Sequence, residues 1–218
     1  MRRCALVLCM LIWLLLGVAC GDDTGDVTSE DFDRLVQEGQ DAIDRQDYER
    51  AISVLGQAIR GQPASARARF LLGNAYAQNN QLPQAEEQLL KALQLESTHT
   101  DARSNLGVVY YRQGKLQEAA EAFRVALQQQ PNDAEIHYNL GGVLAAQNRL
   151  DEAVTEFLRA RDLDPSLPEP YLGLGSVYKL QGRRDEAAAN LREYLRLSKD
   201  ASWRAQAEQM LQELGEKP

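Results

Sequence analysis

The amino-acid pattern of the chain returns every 34 residues, and this period limits the folds that the chain can adopt. Glycine holds one place of the period in all five copies: Gly39, Gly73, Gly107, Gly141 and Gly175. Alanine holds a second place in all five copies: Ala51, Ala85, Ala119, Ala153 and Ala187. Several independent columns with one period indicate a tandem array, in which each unit packs only against its neighbours.

Within each copy, apolar residues recur at helical spacing, as in Ala119, Phe123 and Ala126. Residues that favour a left-handed turn separate the two helical halves in four copies: Asn80, Gly114, Asn148 and Gly182. Proline follows the second half in three copies, at Pro63, Pro131 and Pro165. Because proline cannot continue a helix, the pattern predicts an all-α fold of helix–turn–helix units.

The repeat resembles the tetratricopeptide repeat, a helix–turn–helix unit of this length. The resemblance is carried by Leu-Gly pairs at 72–73, 106–107, 140–141 and 174–175, and by Tyr76, Tyr110 and Tyr178. Five repeats are predicted, at 32–65, 66–99, 100–133, 134–167 and 168–201. The resemblance implies a right-handed α-solenoid, which residues 202–218 would close as a C-terminal capping helix and tail. Trp203 is expected to pack in that helix.

Residues 1–19 have the pattern of a secretion signal peptide. Arg2 and Arg3 precede an uncharged run that ends in small residues before Cys20. This arrangement resembles the bacterial lipobox, which implies cleavage after residue 19 and acylation of Cys20, although Gly17 stands where leucine is usual. The alternative is an uncleaved membrane-spanning anchor. Residues 20–31 would form the lipidated end and an acidic tether.

The predicted location is the cell envelope. Gly21 follows Cys20 where an inner-membrane retention aspartate would stand, which favours the periplasmic side of the outer membrane over the inner membrane. Nucleic acid is not an expected partner, because the net charge of −8 repels phosphate backbones.

No catalytic or metal-binding pattern is found in the sequence, so we expect no enzyme activity, no metal, no cofactor and no small-molecule substrate. All three cysteines lie within the first twenty residues, and the two histidines, His99 and His137, lack metal-ligand spacing. His137 is expected to have a structural role and His99 to be exposed.

The resemblance implies that the first helix of each repeat lines a concave groove. Carried over place by place, the predicted partner-binding residues are Phe70, Asn74, Asn105, Tyr111, Arg112, Tyr138, Asn139 and Leu172. The same groove rows would also include Val36, Gln40, Gln78, Ser104, Val108, Gly142 and Ser176. Rings beside amides suit a peptide, because rings bury apolar side chains and amides bond the peptide backbone. The alternative for Phe70 and Tyr138 is packing between repeats.

The sequence therefore predicts a lipid-anchored interaction scaffold of the bacterial cell envelope. Its partner would be a protein that offers an extended or helical segment to the groove. A narrower alternative is an assembly factor for an envelope complex, such as a pilus secretin or outer-membrane machinery. The rival class is an envelope enzyme or a small-molecule-binding protein, for which the sequence shows no site.

The anchor prediction is tested by Cys20→Ser. The variant should accumulate with residues 1–19 attached, because lipoprotein processing depends on the acylated cysteine. Intact-mass spectrometry should show the wild-type chain cleaved and lipid-modified at Cys20. A wild-type chain that keeps residues 1–19 would establish the spanning-anchor alternative.

Overall fold

The computed structural model describes residues 28–217, so Cys20, the predicted signal peptide and most of the predicted tether lie outside the described residues. Residues 29–31, which were predicted to belong to the tether, instead form the start of the first helix. The described residues form eleven α-helices and no strand, which confirms the predicted all-α helical-repeat fold. The helices are α1 (Ser29–Asp44), α2 (Tyr48–Gly61), α3 (Ala66–Gln78), α4 (Leu82–Leu95), α5 (Thr100–Arg112), α6 (Leu116–Gln129), α7 (Ala134–Ala146), α8 (Leu150–Leu163), α9 (Glu169–Leu180), α10 (Arg184–Leu197) and α11 (Ala201–Glu213).

The first ten helices form five helix–turn–helix pairs, and one residue with positive φ makes each turn. These residues are Gln46 (62°), Asn80 (59°), Gly114 (76°), Asn148 (60°) and Gly182 (74°). The four turn residues predicted from the sequence are therefore confirmed, and Gln46 is the one that the sequence did not suggest. Glycine and asparagine adopt this conformation at lower cost than glutamine does.

The two helices of a repeat touch at the glycine column. A Cβ atom added to Gly107 would lie 2.9 Å from the Phe123 ring, and one added to Gly141 would lie 2.7 Å from the Phe157 ring. Leu55, Leu89 and Leu191 occupy the matching place against the other three glycines. Glycine is required there because the paired helix already fills the space of any side chain.

Stacking of the repeats makes the core continuous. The second helix of each repeat packs against the first helix of the next. One cluster of buried side chains, which includes Phe123, Leu140, Phe157 and Leu174, runs through the third to fifth repeats. The array ends at α11, which buries Ala207 and Leu211 against the last repeat.

Trp203 does not pack as expected, since its side chain is 51% exposed. It lies in the first turn of α11, before Ala207, where the buried face of that helix begins. The prediction that Trp203 is a packing residue was therefore wrong.

The first helices of the repeats (α1, α3, α5, α7 and α9) form one layer and the second helices (α2, α4, α6, α8 and α10) form another, and the two layers differ in the spacing of their helices. Consecutive first helices contact one another, from α1 and α3 through to α7 and α9. No pair of second helices within residues 28–217 is in comparable contact. The layer of first helices is the more closely spaced one and so forms the concave side of the stack. None of the helices in this part of the chain has the length and apolar character needed to cross a membrane.

Adjacent glycines in α7 should respond in opposite ways to alanine. Gly141→Ala should destabilise the fold, because the forced contact with Phe157 costs about 1–3 kcal/mol. A Cβ atom at Gly142 would meet no atom within 4 Å. Gly142→Ala should therefore stabilise the helix by about 0.5–1 kcal/mol. Circular-dichroism melts of the two variants measure this difference, and a loss of stability in Gly142→Ala would show that the space beside it is not open.

Candidate functional site

A small pocket opens on the layer of first helices, between α5 and α7. Its volume is about 110 Å³, and its lining consists of Val108, Tyr111, Phe123, Tyr138, Asn139 and Gly142. The structure thus brings together Tyr111, Tyr138 and Asn139 from the predicted partner-binding residues, and Val108 and Gly142 from the other predicted groove positions. None of the six lining residues carries a charge.

The two tyrosines form walls of different character. Tyr111 is 45% exposed, so its ring is available to a ligand. Tyr138 is partly buried, and its ring centroid lies 5.9 Å from that of Phe157 in the core. Burial raises the pKa of the Tyr138 phenol, which therefore stays neutral and keeps its hydroxyl proton. The Tyr138 ring is therefore held in place by packing against the core, whereas the Tyr111 ring is exposed to solvent.

The floor and the open space of the pocket come from two further residues. Phe123 is 1% exposed and is held beneath the first helices by its contact with Gly107. Gly142 leaves the space above this floor empty, since a Cβ atom there would meet no neighbour within 4 Å. A glycine inside a helix costs about 0.5–1 kcal/mol relative to alanine. Packing within the protein does not explain Gly142, whereas an open pocket does.

Phe70 lies away from this pocket, at the junction between the second and third repeats. Its ring centroid is 4.7 Å from the ring of His99. The ring also packs against two core clusters, which matches the packing alternative. His99 was expected to be exposed and is instead partly buried, because its ring packs against Phe70. It also accepts a hydrogen bond from the Ala102 amide at the start of α5.

Arg112 connects two repeats. Its guanidinium donates to the Ala77 carbonyl at 2.6 Å and to Asn80 Oδ1 at 3.1 Å, both near the end of α3. Cations are favoured at the carbonyl end of a helix. These hydrogen bonds hold the Arg112 side chain against the end of α3, so it does not line the pocket.

The other predicted residues lie on first helices outside the pocket. Asn74 and Asn105 are partly exposed on α3 and α5. Leu172 packs against the core cluster of the last repeat. The sequence placed Val108 and Gly142 in the groove, but it assigned Phe123 only to helix packing, and nothing in the repeat pattern shows that its ring borders a pocket.

His137 takes part in a hydrogen bond that recurs through the array. The tetratricopeptide repeat that this sequence resembles usually has tryptophan at this place. Here the side chain at this place bonds to the carbonyl six residues earlier in four repeats: Arg69 to Pro63, Arg103 to Ser97, His137 to Pro131 and Tyr171 to Pro165. The other ring nitrogen of His137 lies 2.6 Å from Glu156 Oε2. Both nitrogens are used, so His137 has the structural role that was expected. The described residues contain no group of three His, Cys, Asp or Glu side chains placed to hold a metal.

Comparison with solved structures supports the fold. PilF of Pseudomonas aeruginosa is 21% identical and superimposes with a TM-score of 0.75 over 85% of this chain and 85% of that one. MamA from Desulfovibrio magneticus RS-1 is 21% identical, with a TM-score of 0.71 over 80% of this chain and 99% of that one. YrrB, a TPR protein described as having an unusual peptide-binding site, is 22% identical, with a TM-score of 0.64 over 80% and 90%.

No curated protein matches the sequence. One model of the tetratricopeptide repeat matches residues 36–99, 84–134 and 104–168, and a second matches 168–200. These matches cover nearly all the helices, in agreement with the paired helices and their turns. The chain belongs to the tetratricopeptide repeat family.

Proposed function

We propose that the chain is a protein-interaction scaffold that binds a peptide segment of a partner protein at the pocket between α5 and α7. The observation that carries the proposal is the open space at Gly142 beside the exposed ring of Tyr111. Tyrosine is enriched among the residues that contribute most to the stability of protein interfaces. The fold that this chain shares with YrrB, a repeat protein with a peptide-binding site, supports the same proposal.

The proposal includes an anchor in the cell envelope. Its support is the sequence of residues 1–20, in which a basic start and an apolar run lead to Cys20. A lipid on Cys20 would hold the repeat array near the periplasmic face of the outer membrane. The groove would then be presented to a partner that is located in, or passes through, the envelope.

Site-specific photo-crosslinking in intact cells tests the groove. Tyr111 is replaced by photoreactive benzoylphenylalanine, which keeps an aromatic ring at the pocket edge. We expect one dominant adduct, which mass spectrometry would identify as the partner protein.

The matched control carries the same group at Leu90 of α4, a second-helix residue that is 38% exposed. Position 90 should give no such adduct. If the adduct forms from position 90 and not from position 111, recognition uses the second helices and the proposed site is wrong.

A further inference from the structure

The size of the pocket between α5 and α7 limits what it can hold. Its volume is about 110 Å³. An enclosed apolar cavity of about 150 Å³ takes a benzene ring, so a volume of about 110 Å³ matches a smaller side chain more closely. A branched aliphatic side chain fits the smaller volume.

The chemistry of the lining gives the same answer. Val108 and the Phe123 ring are apolar, the tyrosines add ring faces, and no charged side chain is present. An ion that entered would lose its hydration without gaining a partner, which is strongly unfavourable. The occupant of the pocket is therefore uncharged and apolar.

We infer that the pocket holds one side chain of valine, leucine or isoleucine from an extended segment of a partner protein. This inference rests on the proposed function and adds the class of ligand to it. Gly142 provides the space for the aliphatic side chain, and Tyr111 covers it. Asn139, at the pocket edge, provides an amide donor and an amide acceptor for the backbone of the segment.

The side-chain amide of Asn139 favours an extended segment of the partner over a helical one. In a helix, the backbone N–H and C=O groups bond to each other and are not available to a side chain. In an extended segment both groups are free, and each must find a partner once water is excluded. Asn105, which lies one repeat before Asn139 and is partly exposed, offers a second amide on α5.

The inference is tested by selecting peptides from a displayed random library on the full chain in detergent. We expect the enriched peptides to share one valine, leucine or isoleucine. A synthetic peptide of the enriched sequence is then titrated by fluorescence anisotropy. Replacing its aliphatic anchor with alanine should weaken binding about tenfold or more, since burial of such a side chain contributes that much.

The matched protein variants are Gly142→Leu and Gly56→Leu. The first fills the pocket and should abolish peptide binding. The second places the same side chain on α2, where a Cβ atom would meet only the Arg60 side chain, at 3.8 Å. Binding to Gly56→Leu should stay within about twofold of wild type. Circular-dichroism melts verify that both variants are folded.

Other outcomes separate this inference from the proposed function. If binding survives Gly142→Leu but is lost in Tyr111→Glu, the groove binds peptides and the aliphatic pocket is wrong. If both variants bind normally, both proposals are wrong. Suppose that crosslinking from position 111 succeeds. Enriched peptides with an aromatic or charged anchor, or a library that yields no enriched peptide, would then overturn the aliphatic pocket and leave the proposed function standing.

Discussion

The structure depends on the close approach of two helices at one glycine in each repeat. In the third and fourth repeats, the rings of Phe123 and Phe157 fill the space that a side chain on Gly107 or Gly141 would need. This contact fixes how each helix pair is arranged. One pair cannot bury its whole apolar face, so the pairs must stack, and stacking produces the continuous core. The capping helix α11 closes that core at one end.

The same contact also builds the candidate site. Because Gly107 lets α6 approach α5, the Phe123 ring reaches under the layer of first helices and becomes the floor of the pocket. The first helices are the closer-spaced layer, so residues from α5 and α7 can surround one small volume. Gly142 then keeps that volume open. Two neighbouring glycines in α7 thus differ: Gly141 allows the helices to pack, and Gly142 leaves the pocket open.

Most of the fold was predictable from the sequence, because the residues that determine helices and turns recur with the 34-residue period. The spacing of small, apolar and turn residues depends on helix geometry, and it predicted the helices and the turns. The layer of the candidate site was implied only by the resemblance to the tetratricopeptide repeat. The choice among groove residues was not predictable in the same way. Phe70 and Tyr138 hold the same repeat place, yet Phe70 packs against His99 while Tyr138 borders a pocket. That difference arises from neighbouring side chains that do not repeat. Gly141 belongs to the glycine column that recurs in every copy and Gly142 does not, but only the structure shows that the Phe157 ring fills the space beside the first and leaves the space beside the second open.

The central claim is that the first helices α5 and α7 recognise the partner. The most direct test is hydrogen–deuterium exchange of the full chain, measured alone and in complex with the partner protein that crosslinking identifies. The account predicts slower exchange in residues 100–112 and 134–146 of the complex, with unchanged exchange in the second helices α4 and α6. Slower exchange in α4 and α6, with no change in α5 and α7, would contradict it.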